Sequence, residues 1–155
     1  MTTRTASIDL PGTPPAWVNA AVRTLLRIPG VRAWIGKSFA VITVVGAKSG
    51  RRYTTPVQYM RDQGDLVVLS QRKRVWWRNL RIHPEVELRI GARTIRGSGH
   101  VAEEAVAHEI AARCLGSYPS IAKFYGIEVA SGGIDGALID ELLRHIVVLV
   151  IHPRS

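Results

Sequence analysis

Between Glu85 and Val101 the side-chain chemistry spells out a β-hairpin. Glu85 to Ile90 alternates without exception, with Val86, Leu88 and Ile90 on one face and Glu85, Glu87 and Arg89 on the other. This is the period-two pattern of a half-buried strand. Gly91-Ala92 turns the chain into a second arm, Arg93 to Val101, a pairing that commits this stretch to antiparallel sheet. Phe39 to Val45, Tyr53 to Met60 and Leu66 to Ser70 read as further strands, the last two joined by the turn residues Asp62-Gln63-Gly64-Asp65. Ile146 to Ile151 reads as a buried strand.

Helical signals fall between and around these strands. Thr13-Pro14 opens a helix with an apolar stripe of Trp17, Val18, Ala21, Val22, Leu25 and Leu26, and Val31 to Lys37 adds a short second piece. Val75 to Ile82 is a short helix ended by Pro84, and Glu103 to Leu115 is a longer one with Gly116 just beyond it. Tyr118 to Tyr125 is a further short helix, and Asp135 caps one running to about Arg144. About six mostly antiparallel strands with flanking helices predict a compact α+β barrel rather than a doubly wound sheet. Residues 1–12 are expected to be a flexible tail and residues 13–155 a single domain, since 155 residues leave little room for a second core.

Charge carries the strongest compositional signal. Twenty-one Lys and Arg against twelve Asp and Glu leave a net charge of +9, which favours an anionic partner: nucleic acid, membrane surface or phosphorylated small molecule. The longest apolar run, Ile146 to Ile151, is far short of the roughly 20 residues of a membrane helix. A lone cysteine, Cys114, makes no internal disulfide, and Met1 to Leu10 has no secretory pattern, so a cytoplasmic setting is expected. The N-terminal stripe, with Arg23 and Arg27, is compatible with peripheral membrane contact. The five histidines show no metal-ligand spacing.

Two stretches carry candidate chemistry. Gly46-Ala47-Lys48-Ser49-Gly50-Arg51-Arg52 combines glycines that let the backbone turn, a hydroxyl and three cations, a set suited to phosphate or carboxylate. It is not a Walker loop, whose lysine directly follows the second glycine. The second stretch, Gln71 to Leu80, places Arg72, Lys73 and Arg74 before Trp76-Trp77-Arg78-Asn79. Neighbours on an α-helix point about 100° apart, so one tryptophan is expected in the core and the other at a cleft rim. There it would be free to stack on a planar ring. Interleaved cations and aromatics also suit single-stranded nucleic acid, but the spread of basic residues over several loops argues against it.

These residues resemble the deazaflavin-dependent nitroreductase family. The resemblance rests on GAKSGRRYTTP (Gly46 to Pro56), the hairpin to Ser70, and WWRNL followed by His83-Pro84, and it spans roughly residues 15 to 125. It implies a split β-barrel binding coenzyme F420, and an oxidoreductase passing a hydride from the reduced cofactor to a quinone-like or nitro acceptor. Carried over by position, Lys48, Ser49, Gly50 and Arg51 or Arg52 would hold the phosphate, Ser70 and Arg72 would lie near ring or tail, and Trp77 and Asn79 would form the pocket wall. FMN and haem are lesser alternatives, as is a non-catalytic carrier of lipid, haem or flavin.

Departures from the family pattern bear mainly on the substrate. Tyr53 stands where an arginine often follows the lysine by five residues, and of the Tyr-Pro-x-Tyr-x-x-Tyr segment only Tyr118 is kept, with Ile121 and Phe124 replacing the others. Gly126 to Ser155 lacks the Thr-x-Arg-x-Ile-Pro pattern. Tyr118 and Tyr125 are weak candidates for proton donors, with packing the favoured role. The expected partners are the cofactor and an apolar or aromatic substrate, with a homodimer allowed. The lysine loop and the tryptophan segment are expected to converge on one anionic, ring-bearing molecule.

Overall fold

The computed structural model describes residues 39–154; the expected tail and the helix begun at Thr13 lie outside the described residues. Six strands are present: β1 (Phe39–Val45), β2 (Arg52–Asp62), β3 (Asp65–Gln71), β4 (Glu85–Ile90), β5 (Arg93–Val101) and β6 (Ile146–Pro153). They close into a barrel in the order β1-β2-β3-β6-β5-β4, every neighbouring pair antiparallel. A 3₁₀ helix (Trp76–Arg81) links β3 to β4, while α1 (Glu104–Ser117), α2 (Pro119–Phe124) and α3 (Gly136–Leu143) fill the connection from β5 to β6. This is the expected α+β barrel.

Local chemistry explains the turns and helix ends. Gln63 (φ 51°) and Gly64 (φ 88°) are both left-handed, the two-residue turn whose twist matches the strands it joins. The first long helix continues through Gly116, where a stop was expected, and ends at Ser117. The terminator is Pro119, which disfavours helical backbone at the preceding Tyr118 (φ −125°, ψ 71°). Asp135 caps α3 as expected, its carboxylate accepting from the Ala137 N–H at 2.9 Å.

Two apolar clusters share β3 and β6. Inside the barrel, Leu66, Val68, Val147, Leu149 and Ile151 pack with Ile42, Val44, Val57, Leu88, Trp76, Trp77 and Leu80. On the outer face, Val67, Leu69, Ile146, Val148 and Val150 pack beneath Ile110, Cys114, Leu115, Ile139 and Leu142 of the helices. Covering both faces is why these two strands are apolar throughout, whereas β4, open on one side, alternates. Burial pushes the Cys114 thiol up to about 12, so it is a core group and not a reactive one.

Two contacts pin the layers. Gly97 lies so close to β6 that a Cβ there would collide with the His152 carbonyl. Gly97→Ala should therefore lower stability by roughly 1–3 kcal/mol, the scale of forced overpacking, as a shift in the urea midpoint. Arg113 of α1 donates to both carboxylate oxygens of Asp62 at 2.8 and 2.7 Å. These hydrogen bonds hold the Asp62 carboxyl below its usual range. A depressed native pKa stabilises the fold above the unfolded value, and the contribution is lost as pH falls through the native one. Acidification below about pH 4 should lower the urea midpoint, and Asp62→Asn should flatten that part of the profile.

Candidate functional site

The β1–β2 connection, Gly46 to Arg51, is braced from within. Gly46 N–H donates to the Arg51 carbonyl (2.7 Å) and Gly50 N–H to that of Gly46 (3.0 Å), with Gly50 left-handed at φ 67°. The Ser49 hydroxyl accepts from Arg51 N–H (3.2 Å) and lies 3.2 Å from the Tyr53 hydroxyl. The Tyr53 ring covers Gly46 so closely that a Cβ there would fall 2.6 Å from it. Where the resemblance has an arginine, this chain thus has an aromatic brace. Among the described residues no acceptor engages the amides of Lys48 and Ser49 at the loop tip, and Lys48 and Arg51 have no acidic partner.

The loop and the tryptophan segment meet. Ala47 N–H donates to Asn79 Oδ1 at 3.0 Å, and Asn79 Nδ2 donates to the Trp76 carbonyl at 3.0 Å. Asn79 therefore spends its amide on joining the two stretches instead of presenting it to a cleft.

The tryptophans correct the expectation made for them: both are buried, Trp76 at 9% exposure and Trp77 at 5%. The segment is a 3₁₀ helix, whose three residues per turn stack i and i+3 into three rows. One row is Trp77 and Leu80, another Trp76 and Asn79, and the third, Val75, Arg78 and Arg81, faces outward. The helix lies against both β1 and β5, so the two rows that carry the indoles are both covered. Trp77 Nε1 donates to the Gln71 carbonyl at 3.3 Å, and the Arg78 and Arg81 guanidinium groups lie 5.4 and 5.9 Å from its ring centre. Trp76 Nε1 is buried without an acceptor among the described residues.

Other expected site residues are placed elsewhere. Arg52 donates to Glu87 of β4 at 3.1 Å, an acid that Arg96 also approaches at 3.5 Å. Arg72 donates through Nε and Nη2 to the Leu143 carbonyl (2.9 and 2.8 Å), closing the end of α3. Ser70 is buried, on the same side of β3 as Leu66 and Val68. Tyr118 accepts the Arg61 N–H at 3.0 Å, while Tyr125 is buried in the helix-side core, its hydroxyl pushed up to about 12 by burial. Both tyrosines pack on the helical layer, away from the lysine loop.

One cation was passed over. Arg74 is half-buried, and its Nη2 donates to Thr55 Oγ1 at 3.1 Å. Burial lowers its pKa, and no acid offsets this. Thr55 lies two residues from Tyr53 on β2, so the two share a strand face about 7 Å apart. One thus carries Arg74 and the other braces the lysine loop. Between three clustered cations, sequence offered no signal to choose: the Leu143 carbonyl that engages Arg72 is 71 positions away.

Two cavities border this segment, the larger touching Arg72 and the smaller the end of the 3₁₀ helix. One of about 1050 Å³ is lined by α1, α3 and β6, and a smaller one of about 340 Å³ by Leu80, Arg81, His100 and Glu103. His152 bonds Asp65 at 2.8 Å and stacks on His100, but no metal-holding group occurs among the described residues.

A closed six-stranded antiparallel barrel with helices on one face is the split-barrel architecture, and solved structures share it. A Listeria innocua protein assigned as a pyridoxamine 5'-phosphate oxidase superposes with a TM-score of 0.52 at 16% identity, over 89% of this chain and 94% of that one. The F420-H2 dependent reductase FDR-A gives 0.51 at 16% identity (74% and 94%). The haem storage protein HutZ of Vibrio cholerae gives 0.52 at 15% (88% and 89%). At such identities the likeness is one of fold. No curated protein matches the sequence. The family model for F420H(2)-dependent quinone reductase matches residues 17–126, more than half of the 155, and the chain belongs to that family. It is an F420-dependent oxidoreductase, and its cofactor is coenzyme F420.

The Asn79 tie can be measured directly. Asn79→Ala should lower stability by roughly 1–3 kcal/mol, because it strands the Ala47 amide. Hydrogen exchange at Ala47 should quicken in the same variant.

Proposed function

We propose that the lysine loop, with Arg74 beside it, holds the phosphate and acidic tail of F420, and that the acceptor is an apolar quinone-like or nitro compound. The observation that carries this is the Ala47–Asn79 hydrogen bond. It joins the basic loop to the tryptophan helix, so both lie at one end of the barrel. The two stretches that meet there carry no acid, none occurring from Phe39 to Arg61 or from Leu66 to Pro84, and Glu87 nearby is taken up by Arg52.

The residues fit an anionic cofactor. Lys48, Ser49 and Arg51 offer two cations, a hydroxyl and two amides without intramolecular acceptors. Arg74 is a half-buried charge that a phosphate or carboxylate would neutralise. Gly50 supplies the left-handed turn that presents the loop tip, and Asn79, anchored on the Trp76 carbonyl, holds its base. Of the remaining candidates, Ser70 belongs to the inner wall of β3, whereas Arg52 and Arg72 serve the frame.

Bound there, reduced F420 supplies the hydride, and the protein's part is to fix and shield it. With Tyr118 and Tyr125 committed to packing, no phenol is assigned as proton donor. A cytoplasmic enzyme is the setting this reading implies; no described helix is long and apolar enough to cross a membrane.

Fluorescence titration with F420 tests the assignment. Lys48→Ala should weaken binding by about 1–2 kcal/mol, roughly tenfold, and Arg74→Gln should also weaken it. Arg52→Ala, whose guanidinium is engaged by Glu87, should leave affinity unchanged. Equal affinity across all three would remove the loop from the site.

A further inference from the structure

The cavity that Arg72 touches holds about 1050 Å³, at the upper end of ligand pockets, which run roughly 300–1,000 Å³. Its floor is apolar: Val101 of β5 with Ile146, Val147 and Val148 of β6. Val147 is the ladder partner of Ser70, and Arg72 is two residues from Arg74, at most about 7 Å along the chain. The cavity thus borders the site proposed for the tail of the cofactor. Its charged lining does not suit an anion. Glu104 and Glu109 of α1 and Asp140 of α3 outnumber Arg72 and Arg144, and Arg72 already donates twice to the Leu143 carbonyl. An apolar floor under a rim richer in acids than in arginines favours a neutral ligand.

The lining also holds a histidine, the side chain most often used to move a proton. His108 of α1, 36% exposed, turns Nε2 to two acceptors: Asp140 Oδ1 at 3.2 Å and the Gly136 carbonyl at 3.3 Å. Nε2 therefore carries a hydrogen, and α3 fixes the ring through both contacts. Nδ1 has no partner among the described residues. We infer that this cavity receives the acceptor, a neutral quinone, and that His108 is its proton donor, an inference that rests on the acceptor class proposed above. His108 fills the role that Tyr118 and Tyr125, both packed, leave open. In the step a C–H bond of the reduced cofactor breaks and its hydride carries both electrons into the quinone. The quinolate oxygen so formed takes its proton from Nδ1 of the imidazolium, giving the quinol. The oxidised cofactor sheds one proton, and solvent returns one to the imidazole.

Two measurements with menadione, a soluble naphthoquinone, test this: equilibrium binding to the cofactor-free full chain, and steady-state kinetics with reduced F420. Ala105 lines the cavity from an exposed position of α1, so Ala105→Trp fills space without entering the core. It should raise both the menadione Kd and KM by roughly tenfold or more, the scale of an altered apolar pocket, with kcat unchanged. His108→Gln keeps an N–H for Asp140 but cannot pass on a proton. It should lower kcat by about a hundredfold, the lower end of general acid catalysis, with KM unchanged. In both variants the thermal melt and the F420 titration should match the parent. No menadione binding, unchanged Kd and KM in Ala105→Trp, or unchanged kcat in His108→Gln would overturn the inference. Menadione binding that Ala105→Trp abolishes, in a chain with no affinity for F420, would support the acceptor cavity while overturning the cofactor site.

Discussion

The antiparallel pair β3–β6 supports everything else, because it is apolar on both faces. Leu66, Val68, Val147, Leu149 and Ile151 point into the barrel, and Val67, Leu69, Val148 and Val150 face the helices. Their backbone ladder runs from Leu66↔Ile151 to Gln71↔Ile146. A register slip of one residue would exchange the two sets and mismatch both cores at once. Where this ladder ends, at Gln71, the chain leaves the sheet and enters the basic segment. The position of Arg72, Arg74 and the tryptophans is thus inherited from the most tightly specified part of the fold.

The opposite constraint governs the lysine loop. Its residues are exposed, and exposed cations gain little from one another in water. The loop's order comes from short-range bonds: Gly46 and Gly50 closing the backbone, Tyr53 covering it, and Asn79 fastening it to the 3₁₀ helix. In the site proposed for the cofactor's tail, cations carried on a braced loop would leave less ordering entropy to oppose binding. Asp62 and Asp65, at the other end of β2 and β3, pair with Arg113 and His152, and Glu87 beside the loop is taken up by Arg52.

Much of this was legible because it rests on local periodicity. The β4 strand shows its alternation, Gln63-Gly64 its turn and Asp135 its cap, each a property of neighbours in sequence. The tryptophan pair was misread because the short helix is covered by both β1 and β5, a packing that no local period announces. The contacts of Arg52 and Arg72 were not legible for another reason. A guanidinium takes whichever acceptor the fold brings to it, and Glu87 and the Leu143 carbonyl are 35 and 71 positions away.

By itself the sequence settled the strands, the hairpin turns, the family and the presence of two basic segments, since all of these are written in spacing and residue type. Only the tertiary structure decided which cations are committed to the frame and which remain available. It also decided that Asn79 is a fastener and that both indoles are core. The physical reason is that hydrogen-bond partners and burial arise from barrel closure, which joins groups that no local pattern relates.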